Sequence, residues 1–132
     1  MIIDTIAHAQ QPWRSIGEFF CSRQVVRDVG GPLFSQPGTV WFVAINGGGR
    51  DVLGFCSLSD RGTAVWYDCA YVRPAYRGAG VFAELGATRD AFASLIGKPI
   101  KTSVKPERWH RYAERGFARE YERDGWVYGV RS

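Results

Sequence analysis

Apolar and polar positions alternate over residues 2–8 (IIDTIAH), a β-branched run that predicts an edge strand. The period then changes. Trp13, Ile16, Phe19, Phe20 and the run to Val26 recur at helical spacing, so 13–28 reads as one amphipathic helix after Pro12. Glycines and prolines punctuate 29–38 as a loop. Three extended runs follow, at 39–46, 51–59 and 63–73, separated by Gly47-Gly48-Gly49 and Asp60-Arg61-Gly62; together they read as an antiparallel meander. In the third run Ala64, Trp66, Asp68, Ala70 and Val72 fall on one face and Val65, Tyr67, Cys69 and Tyr71 on the other.

A helix is predicted from Gly80 to Ile96, with Val81, Leu85, Thr88, Phe92, Leu95 and Ile96 on one face, ended by Gly97 and Pro99. The strand at 99–104 follows 63–73 through that helix, so the two should lie parallel in a right-handed crossover. A short helix at 107–115 stops at Gly116. Strands at 117–122 and 126–130 close on Asp124-Gly125 as a hairpin. The fold class is therefore α+β, a mostly antiparallel mixed sheet with one parallel βαβ crossover, in a single domain over 1–132.

Composition narrows the function without naming it. With 132 residues, 45% of them hydrophobic, the chain can build one core. No apolar run is long enough to span a bilayer, and the N-terminus lacks the charged and apolar regions of a signal peptide, so a cytoplasmic protein with no membrane partner is expected. Three cysteines without paired spacing fit a reducing compartment better than disulfides or zinc, and no metal-ligand cluster is visible. The formal charge of +4 is mild, and the basic residues are scattered without a nucleic-acid-binding motif, so nucleic acid is not an expected partner.

The chemistry concentrates in YDCAYVRPAYRGAGVFAEL, residues 67–85. A strand breaks at Pro74, a basic glycine turn follows (Arg77-Gly78-Ala79-Gly80), and a helix opens on Val81-Phe82. The first amides of such a helix lack partners and its positive end faces the turn, which favours a phosphate or pyrophosphate. Three readings fit: a dinucleotide fingerprint on Gly78-Ala79-Gly80-Val81-Phe82-Ala83, a purely structural turn, and a cradle for the pyrophosphate of coenzyme A. The first lacks its usual context. The preceding strand belongs to an antiparallel meander, and Lys98 and Lys101 stand where an acidic ribose-binding residue is expected.

Val72-x-Pro74-x-Tyr76-Arg77-Gly78-Ala79-Gly80-Val81 resembles the acyl-CoA-binding motif of the GNAT superfamily of acetyl-CoA-dependent N-acetyltransferases, with Phe82 at a position where that family carries Gly or Ala. Tyr112-Ala113-Glu114-Arg115-Gly116-Phe117 is similar to the family's second motif and comes after the expected strand and helix. The resemblance covers about residues 39–130. It implies helices on both sheet faces, acetyl-CoA as co-substrate without a metal, and direct transfer to an amine acceptor, either a small molecule or a protein, by a monomer or homodimer. Carried over by position, it assigns the cofactor to Tyr71, Val72, Arg77, Gly78, Ala79, Gly80, Val81 and Phe82. Tyr112 stands at the general-acid position and Asp68 at the position of the base. A single helix and a loop at 12–38 would leave an open acceptor cleft, which favours a peptide, a protein lysine or a polyamine. The alternative is a degenerate relative that serves as a protein-binding module.

Overall fold

The computed structural model describes residues 1–48 and 51–132. Its strands are β1 (Ile2–Ala7), β2 (Thr39–Ile45), β3 (Val52–Asp60), β4 (Val65–Val72), β5 (Ile100–Val104), β6 (Ala118–Arg123) and β7 (Trp126–Arg131). Its helices are α1 (Trp13–Phe20), α2 (Arg23–Val29), α3 (Val81–Ile96) and α4 (Trp109–Ala113). All strands join one seven-stranded sheet in the order β1-β2-β3-β4-β5-β7-β6. The β4–β5 pair is parallel and every other neighbouring pair antiparallel, as the meander and crossover predict. The hairpin between β6 and β7 turns on Asp124 (φ 52°) and Gly125 (φ 80°), the left-handed pair that a tight hairpin needs. Gly49 of the expected first hairpin turn lies outside the described residues; Gly47 and Gly48 fall between β2 and β3 as expected.

Two cores fill the two sheet faces. Phe42, Leu58, Val65, Tyr67 and Val72 pack under α3 and α4 with Val81, Leu85 and Tyr112. On the other face Trp41, Val43, Phe55 and Tyr71 pack against Ile16, Phe19 and Val25 of α1 and α2. The Phe55 ring sits 5.2 Å from Phe19, 5.8 Å from Trp41 and 5.6 Å from Tyr71, all in tilted contacts. Such pairs add about 0.5–1.5 kcal/mol each beyond the area they bury.

Four expectations need correction. Residues 13–28 form two helices and not one. Ser22 adopts extended backbone (φ −81°, ψ 119°), and its hydroxyl accepts from the Val25 amide at 3.3 Å, so it caps a new helix in the middle of the apolar stripe. The premise of a compact N-terminal part, and the open acceptor cleft drawn from it, therefore fall. Second, β4 does not alternate strictly. Ser57 pairs with Cys69 but Leu58 pairs with Tyr67, so Asp68 is an extra residue in a bulge and the faces reset beyond it. Third, Leu95 is 88% exposed, and the buried side of α3 carries Gly86, Arg89 and Ala93 with Val81 and Leu85. Fourth, the helix expected at 107–115 begins as a 3-10 turn at Pro106–Arg108 and is α-helical over α4 alone.

Candidate active site

The glycine turn links β4 to α3 through a 3-10 turn at Pro74–Tyr76. Gly78 (φ 81°) and Gly80 (φ 85°) are both left-handed, and Gly80 is the N-cap of α3. A Cβ at either position would meet nothing within 4 Å, so the glycines are required by backbone conformation and leave the space beside them open. The first amides of α3 have no carbonyl within the helix to bond. Here they border a cavity of about 420 Å³ lined by Ala70, Tyr71, Val72, Tyr76, Arg77, Gly78, Gly80, Val81, Phe82, Ala83, Arg108, Arg111, Tyr112 and Asp28. Ala79 lies in the turn but not on this wall.

Arg77 is less free than its sequence position implies. Its Nε donates to the Val72 carbonyl at 2.9 Å, and its Nη2 pairs with Asp28 at 3.1 Å, so part of its charge is already matched. Two further guanidiniums on the wall, Arg108 and Arg111, were not read from the sequence. They precede and share the helical turn of Tyr112, at a spacing of three and four residues that puts 108, 111, 112 and 115 along one side. That spacing was the available signal. The large Phe82 is accommodated by the same side: its ring lies 5.8 Å from the Arg111 guanidinium and 5.2 Å from that of Arg115.

Beyond the turn the sheet opens. The β4–β5 ladder holds at Val65–Ile100, Trp66–Lys101 and Tyr67–Thr102, and none continues past the bulge. A neck of about 30 Å³ passes between the diverging strands, walled by Tyr67 to Ala70, Thr102 to Lys105, Arg108, Tyr112 and Trp126. It shares Ala70, Arg108 and Tyr112 with the large cavity. On the opposite side it shares Asp68, Cys69, Ser103 and Trp126 with a second cavity of about 140 Å³, completed by the loop from Gly30 to Phe34. Three cavities with shared walls thus lie one after another from the glycine turn to Asp68. They bring together every residue expected to hold the cofactor except Ala79, and set Tyr112 and Asp68 on the walls of one neck.

The Asp68 side chain is 4% exposed. It accepts from the Ser59 hydroxyl, and Arg61 pairs with it at 2.6 Å. Burial pushes its carboxyl above the usual carboxylate range, against the opposing pull of Ser59 and Arg61. The Arg61 guanidinium is itself held between the Trp66 ring at 5.0 Å and the Phe34 ring at 5.8 Å. Cys69, beside Asp68, is a poor nucleophile: burial pushes its thiol up to about 12. Lys105 lies with Nζ 4.3 Å from the Trp126 ring. Of the histidines, His8 is tied to Ser35 at 2.7 Å and His110 is on neither cavity. Among the described residues no group of three His, Cys, Asp or Glu is placed to hold a metal.

One buried charge completes the region. Arg89, on the inner side of α3, is 2% exposed and donates to the carbonyls of Ser57 at 3.2 Å and Cys69 at 3.1 Å. Nearby, the Tyr67 hydroxyl donates to Asp90 at 2.5 Å, and Arg131 of β7 pairs with the same carboxylate at 2.8 Å. That cluster braces β4, α3 and β7.

No protein-family model and no curated protein matches the sequence. Solved structures do match in fold. Escherichia coli ElaA is 15% identical, with a TM-score of 0.81 over 99% of each chain. An acyl-CoA N-acyltransferase from Pseudomonas aeruginosa is 16% identical, with a TM-score of 0.82 over 99% of each chain. The PaiA N-acetyltransferase from Thermoplasma acidophilum, solved in complex with coenzyme A, is 11% identical, with a TM-score of 0.67 over 100% of this chain and 99% of that one. The strand order, the single parallel crossover and these matches together identify the fold of this chain as that of the GNAT acyl-CoA N-acyltransferases.

Proposed function

We propose that the protein is an acetyl-CoA-dependent N-acetyltransferase that moves an acetyl group directly to a primary amine. The observation that carries this reading is the placing of an amide-lined, arginine-walled cradle and a buried carboxylate on adjoining cavities that share Ala70, Arg108, Tyr112 and Cys69 among their walls. The cradle suits coenzyme A on its own chemistry: open helix amides and the Gly78–Gly80 turn for pyrophosphate, with Arg108 and Arg111 as further cationic donors. β4 at Ala70, Tyr71 and Val72 borders the same cavity, where the pantetheine arm would lie. The bound molecule supplies an activated acetyl thioester; the chain supplies placement and protons.

Asp68 accepts a proton from the attacking amine, directly or through a water, and a carboxyl raised by burial is a stronger base for that task. A backbone N–H of β4 near Tyr71 and Val72 would polarise the thioester carbonyl as charge develops on its oxygen. The Tyr112 phenol, at the other end of the neck, donates to the departing sulfur. Amine and thioester react directly, because Cys69 is held protonated and takes no acetyl group itself.

The acceptor is a singly charged primary amine, on a small molecule or on a peptide. Among the described residues Asp68 is the one carboxylate on the walls of the neck and the second cavity, and Arg61 already matches it. A polyamine would find no second acid there. Pro32, Leu33, Phe34 and Trp126 make the surrounding wall apolar and aromatic. The free cysteines Cys21, Cys56 and Cys69 support a reducing, cytoplasmic setting for the reaction.

Isothermal titration with acetyl-CoA, followed by thiol release over a panel of amines, tests the reading. Micromolar binding and amine-dependent thiol release are expected. No heat at millimolar acetyl-CoA would reject it. In the same titration Arg111→Ala should weaken binding about tenfold, the effect of losing one charge-assisted hydrogen bond.

The pH dependence follows from Asp68. Its carboxyl is raised in the folded protein, so kcat/KM should rise with pH along an acid limb that lies above the ordinary carboxylate range. The raised pKa also carries a stability cost: folding is most favoured below the unfolded pKa, and that increment is lost as pH rises through the folded one. Arg61→Ala removes a cation that holds the carboxyl down. The acid limb should therefore move to higher pH in the variant; an unmoved limb would assign it to another group.

A further inference from the structure

We infer that Arg89 is a positioning residue for acetyl transfer: it ties down the backbone at the β4 bulge and so keeps the slot between β4 and β5 open. The inference rests on the acetyl-transfer reading and goes beyond it, because Arg89 lines neither the cradle nor the second cavity.

Helical spacing puts Arg89 in line with Val81, Leu85 and Ala93, all buried. Arginine stays charged at any physiological pH, and placing that charge in a core costs several kcal/mol unless it is compensated. Among the described residues no carboxylate pairs with it. Its Nε is buried without a hydrogen-bond partner. Its compensation is backbone oxygen, an aromatic face and the neighbouring Tyr112 hydroxyl: Nη1 reaches the Ser57 and Cys69 carbonyls, and the guanidinium lies 3.9 Å from the centre of the Tyr67 ring. These contacts straddle one place. Ser57 and Cys69 are paired on one side of the register step, and Tyr67 is paired with Leu58 on the other.

A bulge takes backbone groups off the ladder. Arg89 adds a charged donor at that step, bonding one carbonyl on each strand at the last pair before the extra residue, Ser57 and Cys69. The extra residue at Asp68 also resets the faces of the strand beyond it, and a one-residue slip back to regular register would turn every following side chain over. Tyr71 now belongs to the core under α1 and α2, and Val72 to the core under α3. The β4–β5 ladder ends at Tyr67, at the same step. One side chain thus fixes the bulge that aims Asp68, sets the face of the cofactor strand and parts β4 from β5.

The test compares Arg89→Met and Arg89→Lys with wild type in acetyl-CoA titration, steady-state kinetics and backbone hydrogen exchange. In Arg89→Met, kcat should fall about 100-fold, the effect of a misplaced reactant. The Kd for acetyl-CoA should rise by about tenfold, less than kcat falls, since the cradle on α3 stays while the strand at Tyr71 and Val72 loosens. Exchange should quicken about tenfold or more at residues 69–72, with β1 and β2 still protected. Arg89→Lys keeps the charge and one donor to reach a carbonyl, and should recover about tenfold in kcat. Unchanged kcat in Arg89→Met overturns the inference. So does lost protection spread over the whole sheet, or a lysine variant no better than methionine. If the methionine variant fails to fold, the lysine variant decides alone: local loosening at 69–72 supports the inference, and unaltered exchange and kcat reject it. A wild-type protein that binds no acetyl-CoA would sink the acetyl-transfer reading, while the exchange pattern would still decide whether Arg89 holds the bulge.

Discussion

Tyr112→Phe should lower kcat by about 100-fold while leaving the affinity for acetyl-CoA nearly unchanged. The magnitude is that of removing one positioned proton donor. The variant keeps the ring, which is 8% exposed and meets Phe117 edge-on at 5.7 Å, so folding and the shape of the wall are preserved. What is lost is one hydroxyl, on a residue that lines both the large cavity and the neck. Poor thiols as leaving groups need protonation most. A coenzyme A analogue with a more acidic thiol should therefore recover much of the lost rate. A variant with full kcat would remove Tyr112 from the chemistry and leave it a packing residue.

Gly54→Ala should destabilise the fold by about 2–3 kcal/mol, in the upper range for overpacking a core. For a domain of this size that is roughly a 10 °C fall in Tm. A Cβ at Gly54 would lie 2.6 Å from the Tyr71 carbonyl oxygen and 3.0 Å from the Val72 Cα. Both are backbone atoms of the neighbouring strand and cannot rotate away. The only relief is to push β4 aside, and Tyr71 and Val72 line the large cavity beside the glycine turn. Acetyl-CoA affinity should fall with stability. Calorimetry together with titration checks both, and a variant as stable as wild type would show that β3 and β4 can part without strain.

The order of elements was legible because local signals agreed with one another. Period-two runs, glycine and proline punctuation and the Asp124-Gly125 turn set out the meander, the crossover and the last hairpin. The cradle was legible because its need for left-handed backbone at Gly78 and Gly80 is written in residue type. What the sequence hid depends on contacts far along the chain. Ser22 looks like any serine within a helical stripe; its capping bond is visible only once the backbone bends. One extra residue in β4 leaves the letters around Asp68 alternating as before, so the bulge was read through. Arginine on an apolar helix stripe is ordinarily taken as snorkelling to solvent, and what draws Arg89 inward is a pair of carbonyls 20 and 32 positions away. The Arg61–Asp68 pair links a hairpin turn to the bulge, and no spacing rule announces it.

The short β4–β5 ladder also divides the sheet in the course of folding. β2 to β4 form a meander of neighbouring hairpins, and β6 and β7 another, each closing a small loop, the kind of contact that forms early. The three pairs between Val65–Tyr67 and Ile100–Thr102 must wait until the 16 residues of α3 have been laid across the face. They are a seam between two blocks, stitched from the far side by Arg131 and Asp90. Zipping the seam further would add hydrogen bonds and speed closure, yet it would fill the neck between β4 and β5. The ladder left short there is stability given up to keep that space open.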